Sequence, residues 1–152
     1  MKKFLIGAAV LASLAAGSVA AQSVPADRAV KYRQSALTVM STSFGRIGAY
    51  VKGDAKLDAA TLAMNADVVA LMSKVAFDGF LQGTEQPSTT GKGAKPEIWK
   101  EWDKFKKMQG DLQAATAKLD EAAKSGDPKA VQTAFGETGK ACKACHDAYR
   151  AQ

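Results

Sequence analysis

The pentapeptide Cys142-Lys143-Ala144-Cys145-His146 constrains this chain most, because it holds both cysteines and the only histidine of the 152 residues. On a helix, residues three and four apart lie on one side, so both thiols and the imidazole face the same way. At this spacing two thiols bond to the two vinyl groups of one porphyrin, and the histidine binds its iron. The stretch therefore predicts one covalently bound haem c, attached at Cys142 and Cys145, with His146 as the iron ligand.

Other interpretations of the two cysteines agree less well with the rest of the chain. A thioredoxin-like redox dithiol normally lies beside a βαβ pattern, and the sequence has no strand pattern. A structural zinc site usually needs four Cys or His ligands, whereas this chain has two cysteines and one histidine. A plain disulfide would leave His146 unexplained.

Residues 1–21 have the three parts of a secretory signal peptide: a basic start, a short apolar run and the small residues Val19-Ala20-Ala21. Cleavage is expected before Gln22 or one residue earlier. The apolar run is too short to span a membrane, and no later stretch is expected to be apolar enough. The sequence therefore predicts an exported protein of the bacterial periplasm with no membrane contact.

The expected mature chain, residues 22–152, is mildly basic. Removing the leader removes two lysines and no acids, which leaves 19 basic and 15 acidic side chains and a net charge of +4. This balance is typical of a solvated surface of mixed sign, and no cluster is suited to nucleic acid. A basic rim would steer an acidic redox partner.

Apolar residues spaced three and four apart predict four amphipathic helices. A polar loop over residues 82–95 separates the second helix from the third, and Asp127-Pro128 gives the fourth an N-cap followed by proline. The predicted helices cover about residues 23–52, 58–81, 96–124 and 128–149. The predicted core positions of the second helix are Met64, Val68, Leu71 and Val75, and those of the third include Ile98, Trp102 and Phe105.

Four helices of this length with mostly short connections predict an all-α fold of one domain, an antiparallel up-down-up-down four-helix bundle. Both cysteines fall on the apolar face of the fourth helix, together with Val131, Thr138 and Tyr149. The attached haem is therefore expected in the core of the bundle.

Arg33 places a charge on the apolar face of the first helix, four residues before Leu37. A buried arginine is rare unless it is paired. One interpretation is that Arg33 lies near the helix end and extends to water. The interpretation that we favour is a charge-assisted pair with a haem propionate, with Gln34 as a neutral donor beside it.

These features resemble the class II c-type cytochromes and, more closely, the cytochrome c′ family. The likeness lies in residues 29–37, 96–99 and 142–150 and extends over the mature chain. It implies a five-coordinate, high-spin haem with His146 as its only protein ligand, and a homodimer through the first two helices. The residues that it places around the haem are Arg33 and Gln34 at the propionates, Leu37 over the vacant iron face and Arg150 near the proximal face.

The loop over residues 82–95 is longer than is usual in that family. Haem contacts from Thr89, Thr90 or Gly93 are therefore left open by the resemblance.

Two functions remain open for such a haem. One is the binding of small gases, nitric oxide and carbon monoxide above all, because a leucine at the iron offers no hydrogen bond to dioxygen. The other is the transfer of single electrons between periplasmic redox proteins. No acid–base constellation supports turnover, so the protein is predicted not to be an enzyme.

The alternative is a six-coordinate, low-spin haem with Met40 as the sixth ligand, acting purely in electron transfer. If Arg33 marks the haem edge, Leu37 lies about 6 Å further along the helix and Met40 about 10.5 Å. The distance from porphyrin edge to iron is close to the first value. We therefore predict Leu37 over the iron and Met40 in the core.

Overall fold

The computed structural model describes residues 24–85 and 93–151. The predicted signal peptide and its cleavage site lie outside these residues, as do Thr89 and Thr90. Five α-helices follow in order, and a 3₁₀ turn over Ala76–Gly79 continues the second of them. The helices are α1 (Ala26–Lys52), α2 (Ala59–Val75), α3 (Glu97–Lys100), α4 (Trp102–Ser125) and α5 (Pro128–Tyr149).

The four long helices form the predicted all-α, up-down-up-down bundle. Helix α2 packs against α1 and α4, and α4 packs against α5, whereas α1 and α5 contact each other sparsely. The bundle is thus closed along three of its helix pairs and open along the fourth.

Local sequence signals fix the ends of the long helices. Gly53 and Gly126 end α1 and α4 in the left-handed conformation, at φ 83° and 74°, which glycine adopts without a steric penalty. The Asp58 carboxylate accepts a hydrogen bond from the Thr61 backbone N–H at the start of α2. The Asp127 carboxylate accepts one from the Lys129 N–H at the start of α5, where Pro128 occupies the first turn as predicted.

The third predicted helix is broken at Glu101, whose backbone lies at φ −113° and ψ 41°. The short α3 ends there and α4 begins at the next residue. Ile98 and Phe105 are buried as predicted, but Trp102 is exposed. The prediction for Trp102 was wrong because Trp102 is the first residue of α4, beside the break, where its ring stacks on Phe105 with centroids 5.5 Å apart and stays 38% exposed.

Two of the four predicted core positions of α2 were also wrong, and the other two, Val68 and Val75, are half-buried. Met64 and Leu71 are each 55% exposed, while Asn65, Ala66 and Ser73 are buried. The buried polar groups are hydrogen-bonded: Asn65 Nδ2 donates to the Thr61 carbonyl one turn earlier, and Ser73 Oγ lies 3.0 Å from Thr116 Oγ1 on α4. Apolar periodicity does not identify the inner face of a helix that is apolar on both sides.

This apolar character also corrects the expectation that no later stretch is apolar enough to span a membrane. By length and composition alone, Ala59–Gly79 qualifies, with a mean hydropathy of 1.3 and 33% of its most apolar window buried. In the structure this segment packs between α1 and α4, with an exposed apolar side facing outward.

The core consists of two clusters of apolar side chains. The larger lies among the four long helices and includes Met40, Ile47, Val69 and Leu119. The smaller lies at the α3–α4 end and is built on Ile98, Phe105 and Tyr149. Residues of both clusters line one cavity.

Gly79 is a position where packing requires glycine. A Cβ there would lie 2.7 Å from the Ala29 carbonyl oxygen and 2.7 Å from the Arg33 Cβ. We predict that Gly79→Ala lowers the free energy of unfolding by about 1–3 kcal/mol, because the 3₁₀ turn must move away from α1.

Gly110→Ala is the matched control, because a Cβ there meets nothing within 4 Å and the site is inside α4. It should raise the free energy of unfolding by about 1 kcal/mol through helix propensity. Urea unfolding, monitored by far-UV circular dichroism, measures the free energy of unfolding of both variants. Equal effects of the two substitutions would contradict the close approach at Gly79.

Candidate haem site

A cavity of about 1180 Å³ lies on the open side of the bundle, between α1 and α5. Aromatic and aliphatic side chains from α2 and α4, among them Val69, Phe105 and Leu112, also line it. All seven residues that the sequence places at a haem line this one cavity: Arg33, Gln34, Leu37, Cys142, Cys145, His146 and Arg150.

The α5 wall carries the two cysteines, which are half-buried and not bonded to each other. Burial raises the pKa of the Cys142 thiol. Burial, followed by the proximity of Cys142, raises the pKa of Cys145 to about 11. The attacking thiol of a redox dithiol has a lowered pKa, so these thiols lack the electrostatics of a thioredoxin-like pair.

His146 lies on the last turn of the same helix. Partial burial lowers the pKa of its imidazole, the charge of Arg150 lowers it further, and Asp147 acts in the opposite direction. This shift favours the neutral imidazole, which keeps a lone pair on one nitrogen and is the form that binds a metal. Arg150 is also bonded to the same turn, because its backbone N–H donates to the His146 carbonyl at 3.1 Å.

The α1 wall carries Leu37 and Met40. Met40 is buried within the main core cluster, whereas Leu37 is partly buried and packs at the edge of that cluster. Both side chains line the cavity. The two side chains therefore differ in burial: Met40 is part of the buried core, whereas Leu37 keeps part of its surface accessible.

Arg33 is buried, with 3% of its surface exposed, so the interpretation that it extends to water was wrong. Its guanidinium donates to the Gly79 carbonyl at 3.1 Å, and to the hydroxyl and carbonyl oxygens of Thr84 at 2.7 Å each. It also stacks over the rings of Phe80 and Trp99. Burial lowers the pKa of Arg33, and Glu85 partly offsets this.

Arginine has five N–H donors, so these three bonds leave part of the fork for a further acceptor at the cavity. The partner that the sequence did not reveal is Thr84, which follows Arg33 by 51 residues. A threonine beside Gly83 in a polar loop carries no local sign of such a distant contact. The contacts with Thr84 and Gly79 hold the Arg33 side chain at the cavity. The contact with a propionate stays a prediction.

The segments next to residues 86–92 also reach the site. Glu85, Gly93 and Ala94 line the cavity. Gly93 accepts a hydrogen bond from the Ala151 N–H, and Ala94 forms an isolated bridge with Arg150. This end of the polar loop is thereby tied to the C-terminal end of α5.

The residues present fit a c-type haem. One wall supplies two neutral thiols and an imidazole at the attachment spacing, and a buried guanidinium lies at the rim. The remaining lining is largely aliphatic and aromatic, as the apolar faces of a porphyrin require.

Comparison with known proteins agrees with this site. The model of the family described as Cytochrome C′ matches residues 28–150. Cytochrome c′ of Alcaligenes xylosoxydans xylosoxydans is 46% identical over 124 residues, which cover 82% of this chain and 94% of that protein. Cytochrome c′ of Rubrivivax gelatinosus is 41% identical over 126 residues, covering 83% and 95%.

Solved structures of the Alcaligenes xylosoxidans protein share the fold at a TM-score of 0.76 and 43% identity, and cover 84% of this chain. One is the ferrous form of an arginine-to-lysine variant with bound nitric oxide, and the match covers 96% of its chain. Another is a leucine-to-glycine variant with bound carbon monoxide, covering 97%. The chain is thus a member of the cytochrome c′ family, whose single covalent haem c it carries on Cys142 and Cys145.

Proposed function

We propose that this protein binds nitric oxide and carbon monoxide at a five-coordinate, high-spin haem whose only protein ligand is His146. The observation that carries the proposal is the contrast between the two cavity walls. His146 lies on the α5 wall, and the α1 wall offers the aliphatic Leu37, with Met40 held in the core. A haem held by His146 would thus keep a coordination site for a small gas on the side of Leu37.

Each residue has a distinct part in this proposal. Cys142 and Cys145 fix the porphyrin on α5, and the neutral imidazole of His146 holds the iron. When bound, the haem supplies an iron centre that takes diatomic ligands. Leu37 excludes water and offers no hydrogen bond, which favours nitric oxide and carbon monoxide over dioxygen. The Alcaligenes xylosoxidans relative, solved as variants with bound nitric oxide and bound carbon monoxide, supports the proposal.

The protein is a haem protein rather than an enzyme, as its family membership indicates. We propose further that it acts in the bacterial periplasm after removal of residues 1–21, and that periplasmic redox proteins exchange single electrons with its haem. The mild positive charge of the chain supports an acidic partner.

Leu37→Ala tests the gas site directly. Removing the side chain opens the distal face, so we expect carbon monoxide to bind several-fold faster with the haem still high-spin. Met40→Leu, which conserves volume in the core, should leave both the spin state and the rate unchanged. Stopped-flow absorption measures the rates.

A low-spin ferrous spectrum that becomes high-spin in Met40→Leu would identify Met40 as the sixth ligand and favour a purely electron-transferring protein.

Arg33, Gln34 and Arg150 are proposed to contact the haem as well, the first two at the propionates and Arg150 on the proximal side. The buried position of Arg33 supports this, because a charge held at the cavity rim by Thr84 and Gly79 is ready to pair with a carboxylate.

Arg33→Met should lower the haem reduction potential by tens of millivolts. A positive charge favours the reduced iron, and at about 8 Å and an effective dielectric constant of about 20 the interaction is about 2 kcal/mol. Arg33→Lys keeps the charge but loses the planar fork, so it should lower the potential less.

Both variants lose hydrogen bonds to Gly79 and Thr84, and both should therefore unfold at lower urea concentration. Comparing their reduction potentials by spectroelectrochemistry separates the effect of the lost charge from the effect of the lost hydrogen bonds. Equal potentials in Arg33→Met, Arg33→Lys and the unchanged protein would mean that Arg33 only anchors the 79–84 segment.

We also propose a homodimer through α1 and α2. Tyr32 and Val39 on α1, and Met64 and Leu71 on α2, are large apolar residues exposed on the outside of the bundle. The members of each pair are seven residues apart and so lie on one helix face. Exposed apolar residues grouped in this way are typical of a protein interface.

Leu71→Glu should convert the dimer into a monomer, because it places a charge in the proposed interface. Ala114→Glu is the control, since Ala114 is exposed but belongs to α4, which is not part of the proposed interface. Sedimentation velocity at high micromolar concentration distinguishes the species. An unchanged protein that sediments as a monomer, or a Leu71→Glu variant that stays dimeric, would contradict this interface.

A further inference from the structure

We propose that Tyr149 and Glu101 are positioning residues for the haem ligand. In this arrangement the hydrogen bond between them fixes the last turn of α5, and this turn sets the orientation of His146 toward the iron. The inference rests on the ligation of His146 proposed above. It assigns a role to an ionised side chain at the α3–α4 break, which lies outside the haem cavity.

Tyr149 is one helical turn after His146 and is 2% exposed. Its ring packs edge-on against Phe105, with centroids 5.6 Å apart, and lines the haem cavity. Its hydroxyl donates a hydrogen bond of 2.9 Å to Glu101 Oε2, across 48 residues of sequence. A side chain that is buried at the ring and bonded at its tip has little freedom, and it transmits that constraint to the turn that bears His146.

Glu101 accepts a second hydrogen bond besides that from Tyr149. Lys104 Nζ lies 2.8 Å from the same carboxylate oxygen. The hydrogen bond from Lys104, and then that from Tyr149, lower the pKa of Glu101. Hydrogen bonds to an ionised acceptor are shorter and stronger than neutral ones. The break at Glu101 leaves this carboxylate at the N-terminal end of α4, where the helix dipole also favours a negative charge.

The backbone of the same turn is held from the other side. The Lys95 N–H donates to the Tyr149 carbonyl at 2.9 Å, and Lys95 Nζ lies 3.3 Å from the Ala148 carbonyl. The cation also complements the negative end of the α5 dipole. Helix α1, by contrast, contacts α5 sparsely. The orientation of the ligand-bearing turn is therefore set from the α3–α4 side, where Tyr149 packs against Phe105 and donates its side-chain hydrogen bond to Glu101.

The iron–histidine stretching band of the ferrous protein, measured by resonance Raman scattering, tests this role. Tyr149→Phe removes one hydroxyl and keeps the buried ring, so the variant should fold and its band should move to lower frequency and broaden. Glu101→Gln leaves a neutral acceptor and should produce a smaller shift in the same direction. The double variant should shift no further than Tyr149→Phe, because both substitutions act through one bond.

Asp111→Asn is the matched control. It removes an exposed ion pair with Lys107, also 2.8 Å long and also on α4, and should leave the band in place. Far-UV circular dichroism verifies the fold of each variant. A band that stays in place in folded Tyr149→Phe, or that moves as far in Asp111→Asn, overturns this proposal alone. An unchanged protein that lacks an iron–histidine band overturns both this proposal and the proposed ligation.

Discussion

The attachment of a porphyrin to one helix is the constraint on which the rest of this structure depends. With Cys142 and Cys145 on α5, the haem must lie where α5 would otherwise pack against a neighbour. The bundle meets this requirement by closing three helix pairs and leaving α1 and α5 apart. Cytochromes c′ are themselves an example of such up-down-up-down bundles. The 1180 Å³ cavity is thus a space that the core leaves for the cofactor.

A second requirement follows from the charges of a haem. Propionates need a cation at the rim, and a cation in an apolar bundle needs partners of its own. Arg33 meets both needs in the proposed arrangement, because Thr84, Gly79 and two aromatic rings hold it at the cavity. The tight approach of Gly79 to α1 brings the carbonyl that Arg33 uses within reach. The packing of residues 79–84 against α1 therefore determines where the charge of Arg33 lies relative to the proposed haem.

The sequence revealed the parts of this structure that depend on local chemistry. The haem motif, the Asp127-Pro128 start of α5 and the glycine that ends each of α1 and α4 all act over a few residues. It did not reveal the inner face of α2, because Met64 and Leu71 match a helical period as well as the buried residues do. Nor did it reveal the break at Glu101 or the contacts of Thr84 and Tyr149. Those contacts join residues about 50 positions apart, and only the folded backbone brings them together.

The central claim is a covalent haem with one protein ligand and a vacant sixth position. The absorption spectrum of the ferrous protein, recorded before and after addition of carbon monoxide, tests it most directly. We expect broad, unsplit high-spin bands that convert completely to a carbon monoxide adduct, with the haem retained on the chain after acid-acetone extraction. Sharp, split low-spin bands without added ligand, or a haem that extraction removes, would contradict it.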